Sequence, residues 1–289
     1  MFARALLVIA SGFIFIFSPG LPMNLISRYD PDYKRNLVYW GIGGWIIATF
    51  LSLFINNNLL IEVLYDRNGF SGYSGQPLDF VHIFARSIIS SILLGYLMRT
   101  ILKNRIKIES FFKRIFNALK GGSNQAVEPD KSGDLIPDGL ALGFGAGLIA
   151  HVFTGILMVG AGFQVLFGNI SANITVEAIA SSNALLLFAS IITLILFRIA
   201  LLAVSAVQGV LTAGSTAGKS GKFWIGVITM ALFNALILSI QLLMGGLDAG
   251  QVSVGITPAP ISIVTGLYYL AVFVAAFYWL VRTLQGDNI

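Results

Sequence analysis

The sequence predicts an all-α, polytopic membrane protein of about seven transmembrane helices. Its 289 residues are 56% hydrophobic and only 11% charged, a balance foreign to soluble globular domains. Its apolar stretches exceed the ~20 residues that cross ~30 Å of hydrocarbon. They are continuous rather than the ~10-residue alternating segments of a membrane β-barrel. Backbone groups at that depth find no water and must pair internally, so the spans are expected as helices.

In chain order the spans are expected at 3–25, 37–62, 79–102, 137–167, 180–210, 223–245 and 258–284. Arg4 ahead of the first apolar run resembles a signal-peptide start. No small-residue cleavage site follows, so the segment is read as a retained span. The fourth and fifth runs are longer than a bilayer requires and are expected to tilt or project. Residues 1–289 are read as a single transmembrane domain, interrupted at 103–136 by an amphipathic helix and linker. Within 103–120, Ile108, Phe111, Phe112, Ile115, Phe116 and Leu119 recur at helical spacing with lysines and arginines between them. Such a helix is expected in the headgroup plane, against anionic lipid. The Gly-, Ser-, Asp- and Pro-containing stretch that follows reads as a flexible linker.

Charge sets the orientation. With Arg86 and Arg198 set aside as intramembrane, one side holds Arg4 and Arg67. The other holds Arg28, Lys34, Arg35, Arg99, Lys103, Arg105, Lys107, Lys113, Arg114, Lys120, Lys131, Lys219, Lys222 and Arg282. The positive-inside rule then puts the N-terminus outside and the C-terminus in the cytoplasm. The net charge of +5 is a topology signal. It predicts no nucleic-acid partner, because the basic residues flank spans and form no separate soluble domain. The expectation is a multi-pass protein of a prokaryotic cytoplasmic membrane.

The chemistry available at depth is sparse. The chain has no cysteine, which removes disulfides, thiolate nucleophiles and thiolate metal sites. No carboxylate lies in the middle of any span, and His82 and His151 are the chain's two histidines. No Ser-His-Asp set, His-Glu-x-x-His or paired intramembrane aspartate is present, so no catalytic and no metal residue is assigned. Gly-Lys-Ser in the loop at 212–222 lacks the spacing and the preceding strand of a phosphate-binding loop.

Four features remain. Gly139, Gly143 and Gly147 form an i, i+4, i+8 stripe in the fourth span, with Gly155 further along. Such a stripe lets another helix approach closely, or lets a cofactor lie over it. His151 sits near the middle of the same span, where a histidine can ligate a metal or pigment or hydrogen-bond between helices. His82 shares a helix face with Asp79 and Arg86 near the outer end of the third span, as an interfacial polar cluster. Arg86 and Arg198 are costly in hydrocarbon unless paired or turned to a polar cavity. Asp79 is the nearest partner for Arg86. For Arg198 the options are backbone carbonyls, Gln208, Asn234, Gln241 or a lipid or other anionic ligand.

The fourth span reads Asp138-Gly-Leu-Ala-Leu-Gly-Phe-Gly-Ala-Gly-Leu-Ile-Ala150. This resembles the YhfC-type and PrsW-type intramembrane metalloprotease superfamily, whose relatives include the anterior-pharynx-defective subunit of gamma-secretase. The family pattern is roughly Asp-Gly-Leu-x-x-Gly-x-Gly-His-Gly-x-x-Glu. Asp138, Gly139, Leu140, Gly143, Gly145 and Gly147 fit it, while Ala146 stands at the histidine and Ala150 at the glutamate. The family's Phe-Glu-Glu in the third span corresponds to Phe84-Ala85-Arg86. Its Glu-Arg and following His correspond to Phe197-Arg198 and Ser205. His151 does not replace the missing ligand, because one residue turns a side chain by ~100° around a helix. The resemblance implies the packing frame without the chemistry. The expected function is a catalytically inactive scaffold or accessory subunit of a membrane complex, with other membrane subunits as partners through the glycine face. The alternatives are a pigment- or quinone-associated subunit of an energy-transducing complex, motivated by His151 and the aromatics, and a small transporter.

Overall fold

The computed structural model describes residues 1–18, 35–65, 73–105, 135–169, 174–216, 220–243 and 259–285. Among these there is no strand, and six helices are long and apolar enough to cross a membrane. The chain is an all-α, multi-pass membrane protein. The expected surface helix and linker at 103–136 fall almost entirely outside the described residues.

Helix α1 (Phe2–Phe17) buries Ala5, Val8, Ile9, Gly12 and Phe15, one face at helical spacing. At 16 residues it measures ~24 Å, short of the ~30 Å hydrocarbon core. It is thus the one expected span that the described residues do not make long enough to cross. Helix α2 (Arg35–Ile55) continues through a π-helical turn, Asn56–Leu60, and a last α-helical turn, Ile61–Tyr65. The π turn falls on Asn56-Asn57-Asn58, whose amides compete for the backbone. Asn58 Nδ2 donates to the Phe54 carbonyl at 2.9 Å, and Asn56 Nδ2 donates to Asn57 Oδ1 at 3.0 Å.

Helix α3 (Pro77–Lys103) starts where a helix should, with proline in the first turn and the Gln76 N–H donating to Asp79 Oδ2 at 3.0 Å. Helix α4 is Leu135–Leu166, and a short helix α5, Ile174–Ser181, follows it. Helix α6 runs Ala184–Thr216, so the expected run 180–210 is broken near its start. The reason is local: Asn183 Oδ1 accepts from the Leu185 N–H at 3.0 Å, capping a new helix. Helices α7 (Ser220–Leu243) and α8 (Ala259–Leu284) complete the bundle.

Helix α4 is the centre, with α1, α2 and α6 packed on it, while α6 also carries α7 and α8. Of α4's apolar window 67% is buried, against 22% for α8. Glycine makes this possible. A Cβ on Gly143 would lie 2.8 Å from the Ala206 Cα, and one on Gly147 2.9 Å from the Leu202 Cα, both in α6. Gly139 is covered by Gly209 and Ala213 of the same helix. On the other sides of α4, Gly145 meets Val38 of α2 and Gly155 meets Gly12 and Phe15 of α1. Gly139, Gly143, Gly147 and Gly155 thus seat helices of this chain. The expectation that the stripe receives a partner subunit is corrected, because α6 and α1 already occupy it.

Candidate functional site

Arg198 lies close to the midpoint of α6, and its guanidinium carbon sits 4.7 Å from the ring centroid of its own neighbour Phe197. Phe197 is held in turn by Phe233 of α7, at 6.0 Å between centroids, and by Tyr269 of α8, at 5.2 Å. Arg198 Nε is fully buried without a hydrogen-bond partner among the described residues. That arrangement spends the flat face of the guanidinium on an aromatic ring and leaves its N–H edge unmet.

The side chain lines a cleft of about 210 Å³. Helix α2 contributes Trp45, Ala48 and Thr49; α3 contributes Ser90, Ser91 and Leu94; α4 contributes Ala150; α7 contributes Met230 and Asn234. Ser90, Ala150, Thr49, Arg198 and Asn234 all fall close to the midpoints of the apolar helices that carry them. The cleft therefore lies near the middle of the bundle. Its one charged residue among the described lining is Arg198.

Ser91 and Gln208 build the wall behind the cleft. Ser91 Oγ donates to the Ser87 carbonyl at 2.8 Å, and Gln208 Nε2 donates to the Ser91 carbonyl at 3.0 Å. Gln208 thereby ties α6 to α3 and does not pair with Arg198, one of the partners considered from sequence. Asn234, another, lines the same cleft. The Gln241 side chain is outside the described residues. Gln208 Oε1 and Ser205 Oγ are buried without partners in the same part of α6.

Among the positions where the resemblance expects a ligand or acid, Ala146 and Ala150 are both buried, with Ala150 on the cleft. His151 turns the other way. Its Nε2 lies 2.9 Å from Ser18 Oγ and its ring centroid 4.7 Å from that of Phe15, both on the α1 side of α4. It has no place on the cleft. Among the described residues no three metal-ligating side chains converge.

His82 lies away from the cleft, towards the start of α3. It is buried with Nε2 2.7 Å from Asn56 Oδ1 of the π turn. Asp79, also buried, accepts from Tyr65 Oη at 2.7 Å, from the Ser74 N–H at 2.8 Å and from the Gln76 N–H. The expected pairing of Arg86 with Asp79 is not made. The aspartate is consumed by α2 and by its own helix cap, and Arg86 forms no ion pair among the described residues. The ion pair that is present joins Arg105 at the end of α3 to Asp138 at the start of α4. It gives Asp138, the first residue of the glycine-rich stretch, a structural role in joining α3 to α4.

Comparison with protein-family models, with curated proteins and with solved structures finds no match. The resemblance to intramembrane metalloproteases rests on the residues of α3, α4 and α6 quoted above.

Proposed function

We propose that this chain is a catalytically inactive, intramembrane-protease-like protein that serves as a scaffold or accessory subunit of a membrane complex. In this reading it has seven spans, with the N-terminus outside and the C-terminus in the cytoplasm of a prokaryotic cell. One observation carries it: Ala150, which stands where the resemblance expects a glutamate, lines the cleft beside Arg198, the arginine that the family pattern keeps. No carboxylate or imidazole among the described lining is left to hold a divalent cation. Partner subunits would use the outer faces of α2 and α8, where Phe50, Phe54, Leu267 and Phe277 are exposed. Gentle purification from the source membrane tests this. Stoichiometric co-purifying proteins without bound metal are the expected result. One zinc per chain, or a coloured pigment- or quinone-containing sample, would sink it.

A second reading, a small transporter, is favoured by the depth of the cleft, since carriers hold substrate near the bilayer midplane between helices. Solute flux into proteoliposomes that disappears in Arg198→Ala would support it.

A further inference from the structure

We propose that the midplane cleft is a binding site for a small monoanionic carboxylate, held by the Arg198 guanidinium. The site is independent of whether the chain carries that anion across the membrane or only holds it. A cation held inside an apolar helical bundle without a counter-charge is costly. Arg198 has its Nε buried and unpartnered, directly beside a cavity large enough for a ligand. Guanidinium N–H groups match a carboxylate in a two-bond fork, which is the compensation this edge lacks.

The rest of the cleft selects among anions. Asn234 and Ser90 line it, and neither side chain is engaged in a hydrogen bond among the described residues. They are free to meet the second carboxylate oxygen. Trp45, Leu94 and Met230 present apolar surface for a short hydrocarbon body. One guanidinium neutralises one negative charge. A phosphate near −2 would keep about one charge uncompensated in a low-dielectric interior, which disfavours it there. The phosphate of a bilayer phospholipid sits ~15 Å or more from the midplane, at the edge of the hydrocarbon core. It does not reach a cleft that lies near the helix midpoints. The carboxylate has two sources, a short-chain acid from water or a fatty acid from the bilayer.

Isothermal titration of the purified full-length chain in detergent tests this. The ligands are hexanoate and oleate, with hexanamide and inorganic phosphate as controls. Hexanoate is expected to bind at a single site, with hexanamide and phosphate at least about ten-fold weaker, the factor that one or two charged hydrogen bonds supply. Arg198→Gln is expected to lose at least the same factor, and Arg198→Lys to lose part of it. Tighter binding of oleate with the same dependence on Arg198 would support the site and assign the bilayer as its source. Ser90→Leu fills the cleft while leaving Arg198 in place, and it is expected to lose hexanoate while keeping its size-exclusion profile. If Arg198→Gln does not fold, Ser90→Leu decides the matter. The proposal is overturned if neither acid binds, if phosphate binds more tightly than both, or if the variant that folds retains full affinity.

Discussion

Two polar clusters lie within these helices, and they meet their charges in opposite ways. At the start of α3, the Asp79 carboxylate accepts from Tyr65, Ser74 and Gln76, while His82 pairs with Asn56. Near the bundle midpoint, Arg198 has only the face of Phe197. Removing a charge from water costs several kcal/mol unless hydrogen bonds or a counter-charge offset it. The first cluster supplies that offset from within the chain, as a structural joint between α2 and α3. The second leaves it to something outside the chain, as a receptive site does.

The widest separation of the two regions is expected from Gly143→Leu. The cleft's wall depends on the α4–α6 seam, where no side chain fits between Gly143 and Ala206. Overpacking of this kind costs about 3 kcal/mol. Amide exchange should rise along α4 and α6 while the joint of α2 with α3 keeps its protection. Equal loss of protection in every helix would show a single cooperative unit and erase the distinction.

Asp79→Ala is the next largest change. It strands Tyr65 Oη and two backbone donors, and hydrogen bonds to a charged group contribute about 1.5–3 kcal/mol each before water repairs part of the loss. A fall of several degrees in the apparent Tm in detergent is the expected reading. Asn56→Leu should cost less, about 1–2 kcal/mol, because it removes a neutral partner from His82 while the π turn keeps its other asparagines. A Tm unchanged in Asp79→Ala would mean that the start of α3 is held by packing alone.

The helical membrane class was legible from apolar run length, because the bilayer imposes one length on every span and one way to satisfy the backbone. The glycine stripe was legible as a contact, but not which contact. Spacing tells that a helix can approach, and only the fold shows that Gly209 and Ala206 of α6 are what approach. His151 turned out as the ~100° rule requires, on the α1 side of α4. The cleft was legible only in Arg198's need for a polar cavity and in Asn234 as one option for it. Ser90, Thr49 and Asn234 are ordinary polar residues in apolar runs, separated widely in sequence. The one feature they share is a position near mid-helix, and that becomes a signal only when the helices are set side by side. The break before α6 was missed because Ser182-Asn183 is too short to lower the hydropathy of the run, although asparagine is a good helix cap.

The smallest expected effect makes the sharpest test. Arg198→Met keeps an unbranched apolar stem beside Phe197, removes a cation that has no counter-charge among the described residues, and gives up a cation–π contact that contributes about 0.5–2 kcal/mol. These changes oppose each other, so the apparent unfolding free energy should shift by no more than about 1 kcal/mol in either direction. That is a small number for a residue near the middle of the bundle, and well below the cost expected at Asp79. A destabilisation of Arg198→Met as large as that of Asp79→Ala would mean that the guanidinium is already satisfied within the chain. The cleft would then be a second structural joint. A near-zero shift, together with loss of hexanoate binding, would separate the residue's role in holding an anion from any role in holding the fold.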